Sequence, residues 1–342
     1  MRAIALTRYL PAEDPQAFVE VELPKPAPRG HDLLVRVKAV SVNPVDVKVR
    51  SPRPAVEPEP RVLGWDAAGV VEEVGEAVTL FRPGDEVYYA GSIDRPGSDS
   101  EYQLVDSRIA GPKPRSLDFE AAAAMPLTTI TAWEGLFERL GVPRDPAANA
   151  RRSLLVIGGA GGVGSIAIQI AKRVAGLRVA ATASRPESAA WAHEMGADLV
   201  IDHRKSLRPQ LEAADFGPAD YIYCTSSTEH YIAEMAEAVA PQGKICLIAE
   251  TKGDAPVNIN LFQRKSVTLA WELMFTRPLL QTADLQAQHD LLAEAARLFD
   301  AGVLRSTVTE RFGPLSAESL RRAHARVETG AMIGKLVLGG LV

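Results

Sequence analysis

One run constrains this chain more than any other: Ser153-Leu154-Leu155-Val156-Ile157-Gly158-Gly159-Ala160-Gly161-Gly162-Val163-Gly164. An apolar segment of strand type meets a cluster of glycines, and a helical pattern follows at once. Ala167, Ile170, Ala171 and Val174 fall at i, i+3, i+4 and i+7, one face of a helix. In the register Gly159-x-Gly161-x-x-Gly164 each glycine answers a separate demand: a tight turn, an unobstructed backbone, and close packing of helix on strand. The helix start, with Gly162 and Val163 in its first turn, presents free N–H groups and a partial positive charge. Such a strand–glycine–helix unit fits a dinucleotide pyrophosphate, the alternative being a glycine turn that binds nothing.

The segments that follow alternate strand and helix. Strands are expected at Arg178 to Ala183, Leu199 to Ile201, Ala219 to Cys224, Lys244 to Ala249 and Val267 to Leu273. Helices are expected at Pro186 to Met195, with Gly196 as its C-terminal cap, and at Glu229 to Ala240. This alternation predicts an α/β fold with a parallel, doubly wound sheet. The apolar strand at Val267 to Leu273 is placed near the end of that sheet. An exposed edge of this kind invites pairing with a second copy, so a homodimer is expected. Further on, Asp284 is expected to cap a helix reaching Ala301, and Ser316 a last helix ending near Gly330. A short strand at Lys335 to Leu338 closes the chain.

The first third reads as β-rich, with strands at Leu33 to Val40 and Gly69 to Gly75 and a turn then strand over Arg82 to Tyr89, joined by Pro and Gly turns. Ser51 to Pro60 holds prolines at 52, 54, 58 and 60 and is expected to be irregular, either a plain connection or the border of a ligand mouth. Gly91 to Ser100 reads as an exposed loop. Helical segments are expected at Phe119 to Met125 and Thr128 to Leu140. The domain boundaries are drawn at 1–128, completed by 303–342, around an inserted domain at 129–302.

A chain of 342 residues is long for one core, which agrees with two domains. The net charge of −5 comes from mixed acids and bases with no basic stripe, so nucleic-acid binding has no electrostatic support. Cys224 and Cys246 are the only cysteines, which excludes a disulfide framework and a thiolate zinc site. No apolar run reaches membrane-spanning length and no signal-peptide pattern opens the chain; a soluble cytoplasmic protein without membrane partners is expected.

After the second strand of such a unit, an acid ordinarily accepts hydrogen bonds from the adenosine ribose of NAD. The chain reads Thr182-Ala183-Ser184-Arg185 there, with no acid between Val179 and Pro186. Ser184 and Arg185 are suited to a 2′-phosphate, so NADPH is the expected cofactor.

Six motifs, the glycine loop among them, carry a family resemblance. They are Ser41-Val42-Asn43-Pro44-Val45-Asp46, Leu63-Gly64-Trp65-Asp66-Ala67-Ala68-Gly69-Val70-Val71, Phe81-Arg82-Pro83-Gly84-Asp85, Leu127-Thr128-Thr129-Ile130-Thr131-Ala132-Trp133, the glycine loop, and Gly334-Lys335-Leu336-Val337. The chain resembles the medium-chain dehydrogenase/reductase superfamily, of the zinc-less quinone oxidoreductase type, and within it the zinc-type alcohol dehydrogenase-like proteins. The resemblance implies a GroES-like catalytic domain built from both chain ends, with a Rossmann domain inserted. Zinc-dependent members carry cysteine where Asn43 stands, Gly-His-Glu where Gly64-Trp65-Asp66 stands, and a third ligand near Leu127-Thr128. A catalytic zinc takes three ligands from Cys, His, Asp and Glu, and this sequence offers no such set there; no metal is expected.

Without a metal, hydrogen-bond donors must stabilise a developing oxyanion. The resemblance points to Asn43 and Lys48. Asp46 either orients one of them or closes a turn, and Lys48 is either a donor or a solvated surface lysine. Trp65 is either a wall for a planar ring or plain core. Thr129 resembles the family threonine beside the nicotinamide, His203 falls where related NADPH enzymes carry tyrosine near the 2′-phosphate, and Lys335 resembles a position near the cofactor. The function implied is an NADPH-dependent reductase of quinones or similar conjugated carbonyls. Its alternatives are an alkenal or enoyl double-bond reductase, or an NADPH-binding protein of structural or regulatory role.

Overall fold

The computed structural model describes residues 1–251 and 257–341. The chain forms two compact units, Met1–Ile130 with Phe275–Val342, and Thr131–Met274.

The inserted unit is a six-stranded sheet in the order Leu199–Ile201, Arg178–Thr182, Ser153–Ile157, Ala219–Cys224, Val239–Leu247, Thr268–Trp271. Every neighbouring pair is parallel. Numbered within the unit, this is the 3-2-1-4-5-6 order of a dinucleotide-binding fold. The central strand Ser153–Ile157 is buried along its whole length, as a strand covered by helices on both faces must be. Leu155, Ile157, Ile222, Ile245 and Leu247 pack with Leu211, Tyr231 and Met235 into one core. The helix Pro186–Met195 has Pro at its start and Gly196, at φ +118°, at its end, as the sequence leads one to expect.

The β-rich unit holds a seven-stranded sheet and a three-stranded one. The C-terminal strand Lys335–Leu341 lies antiparallel to Asp32–Ser41, so the two chain ends share one sheet. The helix Ala287–Asp300 belongs to this unit, where the Tyr88 hydroxyl donates to Leu292 O at 2.6 Å. The chain therefore returns to the β-rich unit at Phe275, earlier than the 303 drawn from the sequence.

Three expectations are corrected. Arg53–Val62 is a strand rather than an irregular stretch; among the described residues it pairs with Arg2–Tyr9 alone, at the edge of the small sheet, where prolines without N–H donors are tolerated. Much of the segment 91–100 is buried rather than exposed, because Ser98 and Asp99 donate their backbone N–H groups to Gly64 O and Leu63 O, both at 2.9 Å. Asp284 does not cap the long helix: its carboxylate accepts from Arg277 Nη2 at 2.8 Å and Thr282 Oγ1 at 2.6 Å, and the helix starts at Ala287. The strand at Lys335 also runs further than expected, to Leu341.

Candidate functional site

In the α/β unit the glycine loop joins Ser153–Ile157 to the helix Gly162–Gln169. A Cβ at Gly164 would lie 2.2 Å from Gly158 O, and one at Gly159 would lie 2.7 Å from Ala181 Cβ, so packing alone demands glycine at both. Gly161 is different. A Cβ there would meet only Gly158 O, at 3.6 Å, so the protein itself does not require glycine at this position. What a side chain at Gly161 would obstruct is a group approaching from outside. The first-turn N–H groups of Gly162, Val163 and Gly164 have no preceding carbonyl within their helix. The loop thus has the build of an anion cradle.

Ser184 and Arg185 follow the strand Arg178–Thr182 and are both half-buried. Arg185 Nε lies 3.5 Å from Glu187 Oε1. His203 sits beyond the neighbouring strand, and its Nδ1 is 2.8 Å from the Tyr231 hydroxyl, an interaction within the unit. Burial holds the His203 imidazole below its ordinary pKa. Arg204 and Asp202, which no local sequence signal singles out, stand at the same corner. Arg204 Nη2 donates to Asp202 Oδ2 at 2.8 Å and to Ser184 O at 3.1 Å.

The β-rich unit gathers a second cluster. Asn43 stands between the strand Asp32–Ser41 and the helix Pro44–Arg50, Asp66 just before the strand Ala67–Val74, and Lys335 at the start of the final strand. All three are buried. Lys335 Nζ donates to Asn43 Oδ1 and, at 3.0 Å, to Asp66 Oδ2. Asn43 Nδ2 donates to Asp66 Oδ2 at 3.1 Å and to Ser41 O at 3.4 Å, while Leu127 N–H donates to Asp66 Oδ1 at 3.0 Å. The amide hydrogens of Asn43 are therefore engaged inside the protein. An ammonium carries three N–H donors; two of Lys335's are engaged, and the third has no acceptor among the described residues.

Asp46 closes the first turn of its helix, its Oδ2 accepting the Asn43 backbone N–H, while Oδ1 is buried without a partner. Burial pushes its carboxyl up to about 7. Asp99, in the Gly- and Ser-rich segment 91–100, is buried next to Gly64, and burial together with Asp46 raises its carboxyl well above the usual range. Gly64 is at φ +102°, and a Cβ there would lie 2.6 Å from Ser98 Oγ and 2.8 Å from Asp99 Oδ1. That glycine aims Trp65 inward, where its indole donates to Ser92 O at 3.0 Å and packs edge-on to Phe275. Trp65 is thus packed as core. Thr129 is buried on the helix Pro126–Trp133, its hydroxyl without a partner. Lys48 is exposed on the helix Pro44–Arg50 and is not drawn into the Asn43–Asp66–Lys335 cluster.

These residues do not suit a zinc ion. An ammonium already takes the oxygens that Asn43 and Asp66 would offer a cation, and no group of three His, Cys, Asp or Glu among the described residues is placed to hold a metal. The fragment Leu127-Thr128 contributes a backbone N–H donor to Asp66, the reverse of a ligand.

A β-rich unit made of both chain ends and an inserted dinucleotide-fold unit define the class. Residues 29–115 match the alcohol dehydrogenase GroES-like domain and residues 162–294 the zinc-binding dehydrogenase domain. A zinc-type alcohol dehydrogenase-like protein of Staphylococcus epidermidis is 42% identical over 338 residues, 99% of each chain. A putative zinc-dependent alcohol dehydrogenase structure from Rhizobium etli is 49% identical, with a TM-score of 0.94 over 100% of this chain and 98% of that one. A mycobacterial quinone oxidoreductase is 27% identical, with a TM-score of 0.81 over 99% of each chain. A mycobacterial chain solved with NADPH matches to the same identity and TM-score, over 99% of this chain and 100% of that one. The chain belongs to the medium-chain dehydrogenase/reductase superfamily, among its zinc-type alcohol dehydrogenase-like proteins, and is an oxidoreductase of that family. Among the described residues no helix is long and apolar enough to cross a membrane.

Proposed function

We propose that this oxidoreductase uses NADPH to reduce a quinone or similar conjugated carbonyl without a catalytic zinc, as a homodimer. The observation that carries the reading is the Asn43–Asp66–Lys335 cluster, which sets an ammonium among the positions that zinc-dependent relatives give to metal ligands. In that cluster Asn43 and Asp66 hold Lys335, and its remaining N–H is the donor for a substrate oxygen that gains negative charge. Asn43 acts as a positioning residue, since its own amide hydrogens are engaged. Thr129, with its hydroxyl unpartnered, is assigned to orienting the nicotinamide. The cofactor would be held at its pyrophosphate by Gly158, Gly159, Gly161, Gly162, Val163 and Gly164, and at its 2′-phosphate by Ser184 and Arg185, with His203 nearby. NADPH, when bound, supplies the hydride.

The quinone oxidoreductase and the NADPH-bound chain among the similar structures support this substrate class and cofactor. For the dimer, the support is the edge strand Thr268–Trp271, where Trp271 is 54% exposed, as is Leu273 just past it. The test of substrate class is the loss of NADPH absorbance with quinones and with enals offered separately. Faster turnover of quinones is expected. Faster turnover of enals would make the protein a double-bond reductase, and tight NADPH binding with neither turnover would make it a binding protein.

A further inference from the structure

The corner that faces the cofactor's adenosine in the proposed reading contains a carboxylate. Thr182 pairs with Ile201 across the two parallel strands, and Ala183 N–H donates to Ile201 O at 3.0 Å, so Asp202 emerges beside Ala183 and Ser184. An acid beside the adenosine ribose accepts from a 2′-hydroxyl and repels a 2′-phosphate; the usual one follows the second strand, whereas Asp202 follows the third and reaches the same segment across the strand pair. In this chain it is already engaged. Arg204 Nε lies 3.0 Å from Asp202 Oδ1 and 3.2 Å from Oδ2, Nη2 lies 2.8 Å from Oδ2, and the Arg204 backbone N–H donates to Oδ1 at 3.0 Å. The same Nη2 reaches Ser184 O at 3.1 Å, which ties this pair to the segment carrying Ser184 and Arg185. Arg204 Nη1 has no acceptor among the described residues, and the side chain is 65% exposed.

The geometry points to Arg204 as a specificity-determining residue: it masks Asp202, so that the corner presents a guanidinium rather than a carboxylate to a 2′-phosphate. This rests on the proposed use of NADPH. The physical content is a change of sign. With Arg204 in place, the charged group held against Ser184 is its guanidinium, and the half-buried Arg185 next in the chain has its Nε 3.5 Å from Glu187 Oε1. Without Arg204, the Asp202 carboxylate is left beside the position of the 2′-substituent, and a like-charge contact with a phosphate replaces a charge-assisted one. The Arg204 guanidinium also holds the Asp202 carboxyl well below its ordinary range, so the pair stays ionised throughout the working pH range.

The test is calorimetric titration of NADPH and NADH into the wild type, Arg204→Ala, Asp202→Asn and the double variant, at one ionic strength. The masking role requires Arg204→Ala to lower the NADPH-to-NADH affinity ratio roughly tenfold or more, and adding Asp202→Asn to restore most of it. NADH affinity serves as the internal control, because a structural defect would weaken both cofactors together. A wild-type preference for NADPH that Arg204→Ala leaves intact overturns the role of Arg204 alone. So does a loss that Asp202→Asn fails to repair. A wild-type ratio near one overturns the cofactor reading itself, and the role of Arg204 with it.

Discussion

In the proposed reading the chemistry rests on the position of Lys335, which the sequence offers only by likeness to a site near the cofactor. Its burial beside Asp66 and Asn43 depends on three segments far apart in the chain, and no local pattern announces such a meeting. Lys48 was the more visible lysine, being four residues past the start of a helix that opens at Asn43-Pro44, but it points to solvent. The two lysines are separated by kinetics. Asn43→Ala, which removes one acceptor from Lys335, is expected to lower kcat roughly ten- to a hundredfold with little change in NADPH affinity. Lys48→Ala is expected to leave kcat within about twofold, as for a solvated surface residue; a large fall would return the oxyanion role to Lys48. At the adenosine end, Arg185→Ala is expected to weaken NADPH roughly tenfold or more and leave NADH nearly unchanged, since one charge-assisted contact to phosphate is lost. Titration of both cofactors at fixed ionic strength reads this directly, and an equal effect on both would exclude Arg185 from the phosphate contact.

At the scale of elements, the strongly periodic segments were legible and the irregular ones were not. The strand–glycine–helix unit, the helix Pro186–Met195 with its Gly196 cap, and Ser316 at the start of Ala317–Glu328 all follow from local rules that packing reinforces. Composition misled where tertiary partners took over: the segment 91–100 is rich in Gly and Ser, yet Leu63 and Gly64 supply its hydrogen-bond partners and bury it. Asp284 has the chemistry of a cap, but Arg277 is a charged competitor nearby. A pair that local reading had no means to find joins two elements of the α/β unit. Glu134, in the helical turn Glu134–Arg139, and Glu272, just past the edge strand, are both buried, and Arg139 Nε donates to Glu272 Oε2 at 2.8 Å. Burial and the neighbouring Glu134 raise the Glu272 carboxyl above its ordinary value. The folded protein thus keeps a proton that the unfolded chain releases once pH passes the ordinary carboxylate range. Stability is therefore lost as pH rises from that range toward the raised value, by at most about 1.4 kcal/mol per pH unit. Glu272→Gln, neutral at every pH, is expected to remove this slope, so its Tm gains on the wild type as pH increases. Parallel Tm curves for the two proteins would show that Glu272 is ionised in the fold.

For the whole molecule, the class was readable from the alternation of elements and the motifs, because a parallel 3-2-1-4-5-6 sheet needs its strands, helices and glycine turn in that sequence. Where the chain re-enters the β-rich unit was less readable, since the helix Ala287–Asp300 carries an amphipathic pattern that either unit could have buried. Assembly belongs to this scale too. Trp271 and Leu273 at the sheet edge, with Ile259 and Leu261 in the turn before it, are large apolar side chains left exposed. Trp271→Glu is expected to convert a dimer to a monomer in light scattering at micromolar concentration; a wild-type monomer would refute the dimer. The central claim is that an ammonium cluster, rather than zinc, stabilises the reduced substrate oxygen. The direct measurement is quinone turnover with NADPH by protein dialysed against a strong chelator, with its metal content determined. Turnover equal to that of untreated protein, without stoichiometric zinc, is the expected result. Activity that disappears with the metal and returns on adding zinc would contradict the claim.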